Sequence, residues 1–168
     1  MKAKFLINVF LGLVLSGCSS MQVVNNFDPD YDFTKLKSYN WSTESDISEQ
    51  STELEQYFKN AMQQQLASKG FSYDENNAEF VIEYHFSVQP RMVSGVLNQR
   101  SPGWGNQGEI FHYDEGTMVV DFLDTASNQL IYRSSLQAEV NRIKDMDKRK
   151  KRIDEAVEKI LEKFPPGK

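Results

Sequence analysis

Phe80, Ile82, Tyr84, Phe86 and Val88 fall on every second position of one stretch, with Val81, Glu83, His85 and Ser87 between them. Side chains alternate across a strand, so this is a strand with one apolar face, and that face needs a second layer to cover it. Two segments offer the cover. Leu54, Tyr57, Phe58, Ala61, Met62 and Leu66 recur at three- and four-residue steps, with Ser51 or Thr52 placed to cap the start and Gly70 where a left-handed residue ends a helix. Ile153, Ala156, Val157, Ile160, Leu161 and Phe164 form a second stripe, which Pro165-Pro166-Gly167 terminates.

A short strand is predicted across Leu36 to Trp41, followed by a polar stretch from Ser42 to Ser51. Thr117 to Leu123 and Gln129 to Val140 are β-rich, and the intervening Asp124-Thr125-Ala126-Ser127-Asn128 suits an antiparallel hairpin. Pro90 is read as closing the alternating strand, and residues 91–116, rich in Gly, Pro, Asn and Ser, as a long loop. The expected order is strand-helix-strand-strand-strand-helix. It implies an α+β fold: a mostly antiparallel sheet of about four strands with two helices packed on one face, and one parallel pair made by the first crossover.

The beginning of the chain has the three parts of an export signal. Lys2 and Lys4 are its positive start, Phe5 to Leu15 its apolar run, and Ser16-Gly17 its small-residue cleavage site before Cys18, the single cysteine. The run is shorter than the roughly 20 residues of a membrane-spanning helix. Leu15-Ser16-Gly17-Cys18 resembles the lipobox of bacterial lipoproteins. The resemblance implies cleavage between Gly17 and Cys18, a diacylglyceryl group on the Cys18 sulfur, and acylation of the new amino terminus; several acyl chains anchor firmly where one holds only marginally. The expected organisation is a cleaved signal peptide over 1–17, the lipidated cysteine and a flexible tether over 18–30, and a single α+β domain over 31–166.

Loss of Lys2 and Lys4 takes the formal charge from −5 to −7, so no nucleic-acid partner is expected. With the one thiol acylated no internal disulfide can form, and burial alone must hold the fold.

Residue chemistry offers several signals, each with a plainer reading. Gly103-Trp104-Gly105-Asn106-Gln107-Gly108 matches a dinucleotide fingerprint letter by letter, but Ser101-Pro102 precedes it where a strand is required and β-forming sequence follows it where a helix is required. His112, Asp114 and Glu115 are metal-ligand types, with His85 available from another strand. Two histidines cannot build a three-histidine site, and Asp114-Glu115-Gly116 reads more simply as a turn, so neither a metal site nor a cofactor is expected. Glu83 and Asp121 would make a carboxylate pair if their strands adjoin, against solvent-facing strand positions as the simpler account. No serine sits in a nucleophile elbow, and no catalytic residue is assigned. In the run Lys148-Arg149-Lys150-Lys151-Arg152, the spacing of Lys150 with Asp154 and of Lys151 with Glu155 supplies local pairs. Its candidate contacts are an anionic lipid, lipopolysaccharide or an acidic partner through Lys148, Arg149 and Lys151.

Asp30-Tyr31-Asp32-Phe33 leading to Lys37-Ser38-Tyr39-Asn40-Trp41, then Lys69-Gly70-Phe71, Ala78 through His85, Tyr113 through Asp121, and Ala156 through Pro166 together resemble the bacterial lipoprotein family called domain of unknown function 4136. The resemblance covers nearly the whole mature domain and implies an envelope lipoprotein of α+β fold with no catalytic residues to carry over. Ser19 after the cysteine, where aspartate would retain a lipoprotein in the inner membrane, implies the periplasmic leaflet of the outer membrane. The expected role is a non-enzymatic interaction or assembly accessory: the lipid anchor holds it to the membrane, and Val96, Leu97 and Trp104 are offered to an unidentified envelope protein. The alternative is a small-molecule binding protein or hydrolase, with 91–116 as a lid over a pocket lined by Trp104, Tyr84 and Tyr132.

Overall fold

The computed structural model describes residues 21–45, 52–95, 109–140 and 145–165. Six strands form one mixed sheet: β1 (Gln22–Phe27), β2 (Ser38–Trp41), β3 (Ser72–Tyr73), β4 (Phe80–Gly95), β5 (Glu109–Asp124) and β6 (Leu130–Glu139). Their order across the sheet is β1-β6-β5-β4-β2-β3. β2 runs parallel to both β3 and β4, while the β1–β6, β6–β5 and β5–β4 pairs are antiparallel. Helices α1 (Thr52–Ser68) and α2 (Met146–Leu161) cover one face. They lie parallel to each other, since Lys150 Nζ meets Glu53 at 3.1 Å and, one turn on, Tyr57 OH donates to Asp154 at 3.0 Å.

The two helices, the alternating strand, the 125–128 hairpin and the β2–β4 parallel pair agree with the sequence reading. Gly70 takes φ +92° after α1, the left-handed conformation that glycine adopts without steric cost. Three expectations are corrected. The sheet has six strands instead of about four, because β1 and β3 add to the strands that the sequence pattern declares, and β2–β3 makes a second parallel pair beside the expected one. β1 occupies residues expected in the flexible tether, so the domain starts about ten residues before Tyr31.

The third correction concerns 91–116. β4 passes through Pro90 to Gly95, and β5 starts at Glu109, so both flanks of the expected loop are paired strand, in register from Gln89–Glu115 to Gly95–Glu109. The hydrogen bonds explain why proline is tolerated. Ser42 N donates to Ile82 O, and Tyr84 N to Ser45 Oγ, so even-numbered residues of β4 turn their backbone groups away from β5. Pro90 has that parity, and β2 has already ended there; its missing N–H falls on an edge that is open among the described residues. Asp114-Glu115-Gly116 is likewise strand, not turn. A Cβ on Gly116 would come within 2.5 Å of Val140 Cγ2 and 3.2 Å of the Phe86 ring, which accounts for glycine at that position.

The core between sheet and helices is aromatic at one end of the molecule. The Phe164 ring lies 4.5 Å from Phe122, 5.1 Å from Tyr132, 5.3 Å from Phe71, 5.7 Å from Phe80 and 6.1 Å from Phe33. Phe58, Met62 and Leu66 of α1, and Val157, Ile160 and Leu161 of α2, complete it.

Candidate functional site

Strand register sorts the candidate residues onto faces and ends. On the sheet face away from the helices, Asn26, Arg133, Asp121 and Glu83 form one row across four strands. Glu83 and Asp121 are therefore direct cross-strand neighbours, as a carboxylate pair requires. Each already has a partner. Arg133 grips Asp121 with two nitrogens, Nε at 2.6 Å from Oδ1 and Nη2 on Oδ2, and this contact raises the guanidinium pKa. Glu83 Oε1 lies 3.0 Å from His85 Nε2. Each carboxylate of the row is thus already taken up by a neighbouring side chain.

The metal-ligand types do not converge. His112 and Asp114 share a face, but His85 pairs with Val119, seven residues along β5 from His112, about 23 Å of strand. Glu115 is held by Arg91, whose Nε and Nη2 sit 3.0 and 2.8 Å from Oε1. Among the described residues, no three of His, Cys, Asp and Glu gather to hold a metal ion.

The basic run opens α2. Asp145 caps the helix by accepting from the N–H groups of Asp147 and Lys148. Lys150 does not use Asp154, as its spacing predicted; it reaches across to Glu53 and lies 5.5 Å from the Tyr57 ring centroid. Arg152 donates to the Glu139 carbonyl at 3.1 Å. Lys148 and Lys151 are exposed, and Arg149 is half-buried.

Tyr84 and Tyr132, expected as pocket walls, are both fully buried in the core. Tyr132 OH donates to the Ile160 carbonyl at 2.7 Å, and burial pushes its pKa up. Tyr84 OH donates to Glu55 Oε1 at 2.6 Å and is pushed up by burial and then by that carboxylate. A shallow cleft of about 490 Å³ touches the outer edge of Tyr84, between Trp41, Glu55, Lys59, Tyr73 and Glu75. Its ammonium group is occupied: Lys59 Nζ is 3.4 Å from Glu55 and lies against the Trp41 and Tyr84 rings.

Gly17, Cys18, Val96, Leu97, Trp104 and the 103–108 glycine run lie outside the described residues. What the sequence reading missed is the end of the sheet where β1 begins. Gln22, Gln137, Thr117 and Ser87 share one register row there. Beyond it, β6 stops at Glu139 and β4 and β5 continue as a two-stranded arm. Val93 and Ile110-Phe111, good β-formers inside the supposed loop, were the available signal.

The model of the family described as "Domain of unknown function (DUF4136)" matches residues 23–166, and the chain belongs to that family. No curated protein matches it. Among solved structures it is similar to a PDZ domain protein from Parabacteroides distasonis, with 12% identity and a TM-score of 0.56, over 89% of this chain and 38% of that one. The chain thus spans well under half of that protein's length. It is also similar to a PelC dodecamer from Paraburkholderia phytofirmans, with 11% identity and a TM-score of 0.52, over 84% of this chain and 94% of that one. At such identity these likenesses establish the fold alone.

Proposed function

We propose that this member of the family is a lipid-anchored envelope lipoprotein of the outer membrane's periplasmic leaflet, working without catalysis as an interaction or assembly accessory. One observation carries the reading: an apolar run and Leu15-Ser16-Gly17-Cys18 stand only four residues ahead of the first strand, so acyl chains on Cys18 would hold a folded sheet directly beside a bilayer. Support for a binding role comes from the partnered carboxylates, which leave Glu83 and Asp121 committed to His85 and Arg133. The buried Tyr84 and Tyr132 support it too, since their hydroxyls serve Glu55 and the Ile160 carbonyl. A similar fold that occurs as a dodecamer makes self-association the first form of assembly to examine.

Replacing Cys18 by serine in the native host tests the reading. The expected result is an uncleaved precursor that labelled fatty acid no longer marks, while the wild-type chain floats with outer membranes. A wild-type chain recovered soluble and unlabelled would refute it. Crosslinking in cells then separates the roles: a captured protein, either a second copy or another envelope component, fits the accessory, and a retained small molecule alone does not.

A further inference from the structure

We infer that the two-stranded arm of β4 and β5 lies in the headgroup region of the same bilayer that holds Cys18. The inference rests on the lipid-anchor reading and adds to it a membrane-contacting surface.

The geometry follows from register and chain length. Gln22, the first residue of β1, shares a row with Gln137, Thr117 and Ser87. β1 runs from this row toward Phe27, so the chain enters the sheet from the arm's end of the molecule. From Cys18 to Gln22 there are four peptide steps, which reach at most about 14 Å. From Ser87 to Gly95 there are eight steps of strand, about 26 Å along β4, paired throughout with Glu109 to Thr117. The lateral offset from β1 to β4 is three strand spacings, about 14 Å. An arm that outreaches the leash beside it meets the surface to which the leash is fixed.

The side chains suit that surface. Phe80, Ile82 and Tyr84 of β4 are fully buried beneath the helices. The same face continues through Phe86 and Val88, half-buried, to Pro90, exposed, and Met92, which is 74% exposed. The apolar face thus runs on past its cover. Apolar and aromatic residues favour the interface, and the arm's edges, open among the described residues, keep it at headgroup level, because unpaired backbone groups are not carried into hydrocarbon. Charge contributes little. Exposed Lys148 and Lys151 lie at this end, but Asp145 and Asp147 stand beside them and Arg91 is paired with Glu115, so the contact should withstand salt.

The test uses Met92→Cys in the full chain, matured and acylated in its host so that the introduced thiol is the one free thiol, labelled with an environment-sensitive fluorophore. Ala126→Cys, in the exposed hairpin turn at the opposite end, is the reference. Both are placed in phosphatidylethanolamine–phosphatidylglycerol vesicles with brominated acyl chains. The expected result is a blue-shifted probe at position 92, quenched several-fold more by brominated lipid than the probe at 126, at low and high salt alike. A probe at 92 as open to aqueous iodide as the one at 126, on a chain whose mass shows acylated Cys18, overturns the arm contact alone. A probe shielded from both quenchers in native membranes places protein there and overturns the lipid contact. A mass showing Cys18 bare overturns the anchor and the arm contact together.

Discussion

The two ends of this sheet are built differently. At the hairpin end, Phe164 sits among five aromatic rings, and Asp124 ties the 125–128 turn to the segment that follows β1. It accepts from Tyr31 OH, from Ser127 N and from Ser127 Oγ, and lies 3.6 Å from Lys35 Nζ. At the arm end, burial falls away along β4 until Met92 stands in the open, and two strands continue without the rest of the sheet. One end is fixed by many mutually supporting contacts, and at the other the described residues show chiefly the β4–β5 ladder and the Arg91–Glu115 pair. Stability should therefore reside in the first, and contact with other molecules in the second.

Phe164→Ala should break the comparison hardest. It empties the centre of the ring cluster and should cost about 3–5 kcal/mol in chemical denaturation, whereas Met92→Ala should change stability by less than about 0.5 kcal/mol. Equal losses would mean that the ends do not differ.

Acid sharpens the same contrast. Burial alone would raise the Asp124 pKa, but the hydrogen bonds from Tyr31 and Ser127, with Lys35 nearby, bring it down to about 2. A carboxylate depressed in the folded state stabilises above its unfolded pKa and loses that contribution as pH falls through the folded one. Glu79, lowered chiefly by the Ser38 hydroxyl, acts in the same direction. Between about pH 4 and pH 2 the wild type should lose about 1 kcal/mol through Asp124, after allowance for solvent screening. Asp124→Asn should be less stable at pH 7 and show a flatter acid slope. A variant that keeps the wild-type slope would remove Asp124 from the account.

Tyr132→Phe leaves the Ile160 carbonyl without its side-chain donor and should cost about 1 kcal/mol by thermal melting. Ser134→Ala should have the smallest effect. The Ser134 hydroxyl is fully buried with no hydrogen-bond partner among the described residues, so its removal should be neutral or slightly stabilising. A loss near that of Tyr132→Phe would show a partner for it.

The hairpin end was largely legible in the sequence because its signals are local: two helical stripes, the alternation from Phe80 and the turn composition at Asp124 to Asn128 each declare themselves within a dozen residues. The arm end was not. β1 pairs with a strand more than a hundred residues away, and Asn25-Asn26 interrupts the apolar alternation that Val23 begins. Pro90 signalled a strand end when read alone, since the open edge that tolerates it exists only once β2 is placed. The carboxylate neighbours Glu83 and Asp121 were legible as a conditional pair. Their closure by His85 and Arg133 was not, because Arg133 reaches that row only through the register of β6.

Hydrogen exchange along the acylated chain bound to vesicles tests the division of the molecule most directly. The account predicts that amides of Val120, Phe122 and Tyr132 exchange only through global unfolding. It predicts that those of Arg91, Met92, His112 and Tyr113 are slow on vesicles and fast once limited proteolysis frees the domain from residue 18, and that the 125–128 turn keeps one rate throughout. An arm that exchanges equally fast in both states, or a turn that slows on the vesicle, would contradict it.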